Sequence, residues 1–395
     1  MAANEKELEQ LLSEISVRLD PERCREVDER YRRALAYEQT DRPPLVVQPE
    51  FGRSFALPEP WSAFRRYSYR ESFDDPAAMM QNMLLDRVVP GLIIGDDSPL
   101  AIRNDHGTIQ IGSAVGGNWM LHENNFPWVE HFDSLEPIER IANSSAPVDL
   151  EAGVLPRSFA TLKYYAEKLR MFPPCADAIQ IAMPDLQGPL DNADLLWGSG
   201  IYYAFSDAPE LLERLLSRLV DVIGQVYQAY RPYTSDRLDP VANTQHGYVI
   251  PGRLLIRDDS AIMLSAGTYA QHVRPHDVRL LRELGGTPPH FVSEGVRGRC
   301  GGAIHFCGNG QHLVEAMVEP EEVRGLDFGE IHLMDADWIY GVCRERKVSL
   351  HRVTPSREDL ATGKARRDFP TGVVFVYSTS DIEDGSDLVR AYQTT

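Results

Sequence analysis

Gly301-Gly302-Ala303-Ile304-His305-Phe306-Cys307-Gly308-Asn309-Gly310 is a short apolar run that opens into histidine, cysteine and glycine. Read as a buried strand, it puts Ala303, His305 and Cys307 on one face, with His305 and Cys307 about 7 Å apart by strand rise. Neutral imidazole and thiolate both suit zinc, and a catalytic zinc takes three protein ligands with one position left open. The strand supplies two, so a third has to come from elsewhere. Taken alone, the same residues also fit a small buried cysteine and a hydrogen-bonded core histidine. The rest of the chain has to shift that balance.

Outward from this strand, apolar runs of similar length recur. Residues 45–49, 88–95, 178–183 and 253–259 precede it, and 330–334, 347–352 and 372–377 follow, which makes eight strands in all. Pro90 weakens the start of the second. Most are separated by helical patterns. The clearest helix follows Asp207, read as its N-cap with Glu210 three residues on, and carries the stripe Leu212, Leu215, Leu216, Leu219, Ile223 and Val226. Nearly continuous apolar strands alternating with helices indicate a parallel sheet covered on both sides. Eight such units predict a (β/α)8 TIM barrel, with a doubly wound sheet as the competing α/β arrangement. Before it, Leu8, Leu11, Leu12, Ile15, Tyr31 and Leu35 recur at helical spacing around Pro21. Residues 1–40 therefore read as an N-terminal helical extension and 41–395 as the barrel, with an irregular, lid-like excursion over 99–147.

Composition narrows the function. The chain has 395 residues, 43% of them hydrophobic, enough for a large core. Its net charge of -19 and the lack of a long basic run argue against nucleic acid as a partner. The same acidity disfavours a polyanionic substrate unless arginines gather locally. No run approaches a membrane span, and the first residues lack the basic and apolar regions of a signal peptide, so a cytoplasmic protein with no membrane partner is expected. The five cysteines are scattered and odd in number, which fits reduced thiols.

In a TIM barrel the chemistry sits at the C-terminal strand ends. The candidates there are Glu50, Asp97, Asp185 with Gln187, Asp258 with Asp259, His305 with Cys307, Asp335, His351 and Ser378. Adjacent residues on a strand face opposite ways, so at most one of Asp258 and Asp259 points into the site. The alternative for that pair is capping of the next helix, and Asp96-Asp97 reads as a turn. His246, just before the fourth strand, either approaches the rim or lies on a surface loop. The glycines of the loop from Gly285 to His290 do not form a phosphate cradle, and the nucleotide-binding glycine motifs and the Gly-x-Ser-x-Gly elbow are absent.

Several pieces carry a resemblance in order and spacing: Leu186-Gln187-Gly188-Pro189-Leu190-Asp191 with Leu196-Trp197-Gly198, Asp258-Asp259-Ser260-Ala261-Ile262-Met263-Leu264-Ser265 with Tyr269 and Pro275, Ile304-His305-Phe306-Cys307-Gly308, and Val323-Arg324-Gly325-Leu326-Asp327-Phe328. The chain resembles the uroporphyrinogen decarboxylase superfamily, which includes cobalamin-linked methyltransferases, and the resemblance implies a (β/α)8 barrel. The tetrapyrrole decarboxylases carry an arginine-containing signature near the first strand, where this chain has Val47-Gln48-Pro49-Glu50-Phe51-Gly52-Arg53 with a single arginine. The methyltransferases use a zinc-binding H-x-C, matched by His305 and Cys307, and a second cysteine near the last strand. This chain has Ser378-Thr379-Ser380-Asp381 there instead. Asp381 or Glu383 is then the expected substitute ligand, unless zinc binds weakly or not at all. Cys343 falls in a helical segment away from the rim. The resemblance thus implies methyl transfer between a corrinoid on a partner protein and a small-molecule acceptor. His305 and Cys307 would be the zinc ligands, Asp258 and Asp259 the catalytic carboxylates, and Gln187, Glu50 and His246 the substrate contacts. A decarboxylase, or a barrel that only binds a small molecule, is the alternative.

Overall fold

The computed structural model describes residues 3–122, 125–285 and 301–395. The loop residues 286–290 and Cys300 lie outside them. The strands are β1 (Leu45–Gln48), β2 (Ala101–Ile102), β3 (Trp119–Met120), β4 (Trp128–Val129), β5 (Gln180–Ile181), β6 (Ala242–Gln245), β7 (Tyr248–Pro251), β8 (Leu255–Arg257), β9 (Gly302–Phe306), β10 (Val323–Phe328), β11 (Ser349–Val353) and β12 (Val373–Ser378). Six of them form one parallel sheet in the order β1-β12-β11-β10-β9-β8, and β2 and β5 form a separate parallel pair. Two antiparallel pairs, β3–β4 and β6–β7, complete the strands among the described residues. With helices between the parallel strands, the chain is a mixed α/β protein. Among the described residues the strand ladders do not join into a closed eight-stranded ring.

The period of two along each strand divides the sheet into two chemically different faces. Ile256, Ile304, Phe306, Leu326, Phe328, Leu350 and Phe375 pack outward into the main apolar core with the long helix Pro209–Tyr230 and its neighbours. On the opposite face, Val46, Leu255, Ala303, Val374 and Val376 form a second cluster with Tyr248 and Ile250 of the β6–β7 hairpin. Val27 and Tyr31 of α2 (Pro21–Leu35) join it. The hairpin comes close because β10 has Gly325 there, where a Cβ would stand 2.9 Å from Pro251.

Three expectations are corrected. Residues 88–95 are not a strand: they form the helix Val89–Ile94, ended by Gly95 in a left-handed conformation, with Pro90 in its first turn. Proline and an αL glycine are helix punctuation, and a short apolar run does not distinguish strand from buried helix. Asp97 consequently lies at the start of β1, where its N–H donates to Leu45 O, and not at a strand's C-terminal end. Residues 330–334 form a 3-10 turn at Ile331–Leu333, and the strand is Val323–Phe328. Asp207 ends the preceding helix, Gly200–Asp207, and Ala208 stands at the N-cap of Pro209–Tyr230.

The N-terminal segment forms α1 (Ala3–Ser16) and α2, whose apolar residues Leu8, Leu11, Leu12, Ile15 and Tyr31 are fully buried. Lys168 Nζ bonds Glu5 at 2.6 Å and Glu9 at 3.1 Å on α1, and Arg237 Nε bonds Asp28 on α2 at 2.7 Å. No helix among the described residues is long and apolar enough to cross a membrane. The buried Asp97 is a joint of this arrangement. It accepts from Arg30 at 2.8 Å, from Arg42, and from Leu45 N at 3.0 Å. Removing one partner of a buried pair strands the other charges, so Asp97→Ala is expected to lower the unfolding free energy by about 3–5 kcal/mol, read by urea denaturation.

Candidate functional site

Strand register sets the site. Arg257 pairs with His305 across β8–β9, His305 with Asp327 across β9–β10, and Asp327 with His351 across β10–β11. Four polar residues therefore lie side by side across one parallel sheet, on the face that receives the β6–β7 hairpin. His246 and Gly247 are the two residues between β6 and β7, both with positive φ, of 51° and 89°. That is the conformation a two-residue hairpin turn needs to match strand twist. The turn lowers His246 onto the row and brings Tyr248 with it.

Asp327 is fully buried and sits at the centre. Tyr248 OH donates to its Oδ1 at 2.6 Å and His246 Nδ1 to its Oδ2 at 2.7 Å, while His305 Nδ1 lies 2.9 Å from the same Oδ2. Burial opposes ionisation, but the two histidines outweigh it and hold this carboxyl well below the usual range. Arg257 Nε donates to His246 Nε2 at 3.3 Å, which fixes the His246 proton on Nδ1. Burial, with the Arg257 charge beside it, pushes His246 down to about 3 against the pull of Asp327. His246 is thus a neutral ring with an assigned tautomer.

Asp327 also faces His305. With Nδ1 directed at the carboxylate, the free Nε2 lies 3.5 Å from Cys307 Sγ and 3.7 Å from Asp259 Oδ1. Asp259, His305 and Cys307 each offer a ligand atom within 4.8 Å of the others, and Asp259 Oδ1 also accepts from Cys307 N at 2.7 Å. Imidazole, thiol and carboxylate are a donor set that suits zinc, and a carboxylate behind the ligating imidazole is the usual support for such a site. Burial first, and then the charges of Asp259 and Glu330, push the Cys307 thiol up to about 12. A cation at this point would offset those negative charges.

The other expected residues fall in different places. Asp258 faces away from the row: it is fully buried with Asp277, whose carboxylate accepts from Tyr269 OH at 2.9 Å. Gln187, with φ 54°, donates to Asp185 Oδ1 at 2.8 Å, and Asp185 Oδ2 lies 3.1 Å from Arg257 Nε. Gln187 is thus one residue removed from the row. Glu50 is exposed on a turn and pairs with Arg53 at 3.2 Å. Gln48 reaches the hairpin in its stead, donating to His246 O at 2.6 Å. Asp381 caps the last helix, Ile382–Thr394, through the N–H groups of Glu383 and Asp384. Asp335 caps Ala336–Arg346, Ser378 pairs with Gln48, and Cys343 is buried in the main core. The sequence reading missed Asp327, Tyr248, Arg257 and Gln48. The signal for the hairpin was present, as His-Gly between two short β-prone runs.

No known family profile matches the sequence, and no curated protein does. Solved structures do: 19 chains match in fold. One, a methyltransferase from Methanosarcina mazei, aligns with a TM-score of 0.62 over 93% of this chain and 98% of that one, at 15% sequence identity. At that identity the likeness is one of fold, so the chain has a methyltransferase-like fold.

The position of the thiol has a direct consequence. In chelator-treated protein Cys307 is expected to resist alkylation by iodoacetamide at pH 8 and to react faster as the pH is raised towards 11, followed by peptide mass spectrometry. Rapid modification at pH 8 would show that the thiol is not held in its protonated form.

Proposed function

We propose that this chain is a methyltransferase moving a methyl group between a corrinoid carried by a separate protein and a small acceptor, with zinc held by His305, Cys307 and Asp259. The observation that carries the reading is the convergence of these three ligand atoms beside Asp327. Asp259 takes the place for which the sequence offers no second cysteine. The methyltransferase-like fold supports the same reading.

The proposed architecture is a (β/α)8 barrel over residues 41–395 with a helical extension over 1–40. In chain order the parallel strands are β1, β2, β5 and β8 to β12, which places the β2–β5 pair between β1 and β8. Asp97 N donates to Leu45 O on β1, and Gly188 N donates to Arg257 O on β8 at 2.7 Å, so the segments bordering the pair are tied to both edges of the sheet.

When bound, zinc would lower the pKa of a thiol acceptor and present it as a thiolate. The chain's own residues prepare that position. Asp327 orients His305 and keeps its Nε2 free, while the half-exposed Asp259 forms the side of the site open to a ligand. Arg257 and Asp327 lock His246 in one tautomer, so its position does not vary with pH near neutrality. A methylcorrinoid on the partner would supply the methyl group to a thiolate held at His305, Cys307 and Asp259, and the electron pair of the broken bond would stay with the corrinoid.

Elemental analysis of protein purified without chelator tests the reading. Near-stoichiometric zinc is expected in the wild type and its loss in Cys307→Ser and Asp259→Ala. Asp327→Asn is expected to weaken zinc binding about 10–100-fold by releasing His305. A wild type that takes up no zinc when supplied with it would defeat the zinc-thiolate reading. With zinc confirmed, transfer from methylcobalamin to a thiol is the activity to measure.

A further inference from the structure

Four arginines from separate segments gather beside the row. Arg87 comes from the π-helical turn Leu84–Val88, Arg103 from just after β2, Arg257 from the end of β8 and Arg352 from β11. Like charges this close need counter-charges. Arg257 has them, in Asp185 at 3.1 Å and the amide oxygen of Gln245 at 3.0 Å. Arg103 does not have close ones. It lies 3.6 Å from Asp185 and 3.9 Å from Asp105, beyond hydrogen-bond length, and its Nη1 is buried with no acceptor. The Nε of Arg352 is likewise buried with no acceptor.

Arg87 is left to solvent. It makes no hydrogen bond or ion pair with any described residue. Burial, and then the charge of Arg103, lower its basicity, yet its side chain remains solvent-accessible. Exposed, yet close to the Arg103 charge, the Arg87 guanidinium borders an opening to solvent. One wall of that opening is the hairpin tip, since a Cβ on Gly247 would stand 3.9 Å from Arg87 Nη1. Gly247 follows His246 directly, so the opening adjoins the candidate site. The π-helical turn that carries Arg87 is itself a distortion that recurs at functional sites.

We propose that this opening binds the anionic group of a small ligand, a carboxylate, sulfonate or phosphate, through the guanidinium groups of Arg87 and Arg103. Arg103 Nη1 and Arg352 Nε are buried donors that are costly to leave unpaired, and the exposed planar guanidinium of Arg87 beside them matches such an oxyanion in pairs of hydrogen bonds. The chain as a whole is acidic, at -19, so these arginines run against its overall charge. That the ligand is the methyl acceptor rests on the methyl-transfer reading, whereas the anion site does not.

Calorimetric titration of metal-free, full-length protein tests it with three probes: 3-mercaptopropionate, neutral 3-mercapto-1-propanol, and propionate, which has no thiol. The wild type is expected to bind both carboxylates about tenfold or more tighter than the neutral thiol, the worth of a charge-assisted hydrogen bond. Arg87→Gln should remove that preference and leave the neutral probe unchanged, and Arg87→Lys should keep part of it. Displacement of 3-mercaptopropionate by inorganic sulfate in the wild type, without effect on the neutral probe, supports the site even if a variant does not fold. No preference in the wild type, no displacement by sulfate, or a full preference in folded Arg87→Gln overturns it. Propionate binding needs neither metal nor methyl donor, so a protein that lacks zinc but binds propionate through Arg87 would retain the anion site and lose only the methyl-transfer reading.

Discussion

A single buried carboxylate governs this site. Asp327 stands on a parallel strand with neighbours on both sides, where an unpaired charge would cost several kcal/mol. It is kept ionised by groups from separate segments: Tyr248 and His246 from the hairpin, and His305 from the adjacent strand. Each of those groups is in turn placed by its bond to Asp327. The hairpin cannot shift without exposing the carboxylate's loss of partners, and His305 cannot rotate without leaving it. The free Nε2 of His305, on which the proposed metal site depends, is therefore a by-product of satisfying Asp327.

The two-faced sheet explains how such a polar row is tolerated. The outward face carries large apolar side chains and binds the helices, so it supplies the stabilising burial. The other face carries a smaller apolar cluster, which receives the hairpin and α2, and the polar row of Arg257, His305, Asp327 and His351 beside it. A single sheet thereby separates stability from chemistry. Three non-glycine residues near the row, Gln187, His246 and Arg352, adopt positive φ, which ordinary residues avoid. Backbone strain held in place by its surroundings is characteristic of functional sites.

Charge tells a similar story at two scales. The acidic total argues against a polyanionic partner, yet arginines from distant segments meet around Asp185 beside the row. A net charge sums over the whole surface, and a site depends on a few groups in a low-dielectric recess. The fold likeness at 15% identity has the same origin: a core is fixed by pattern and volume rather than by particular residues.

The sequence by itself determined that the chain is α/β, because strand and helix periods are local. It located β1, β5, β8, β9, β11 and β12, the N-terminal helices, and the alternation that puts His305 and Cys307 on one face and turns Asp258 and Asp259 to opposite sides. It failed at 88–95, where a short apolar run with proline serves a buried helix equally well. It also passed over β10 as a strand, since an aspartate in an interior strand contradicts the apolar pattern until its donors are seen. Only the tertiary structure decided that Asp259 joins His305 and Cys307, that the hairpin turns inward so that His246 meets Asp327, and that four arginines converge. Each of these joins residues separated by tens to hundreds of positions, and no local period records which distant segment a side chain will meet.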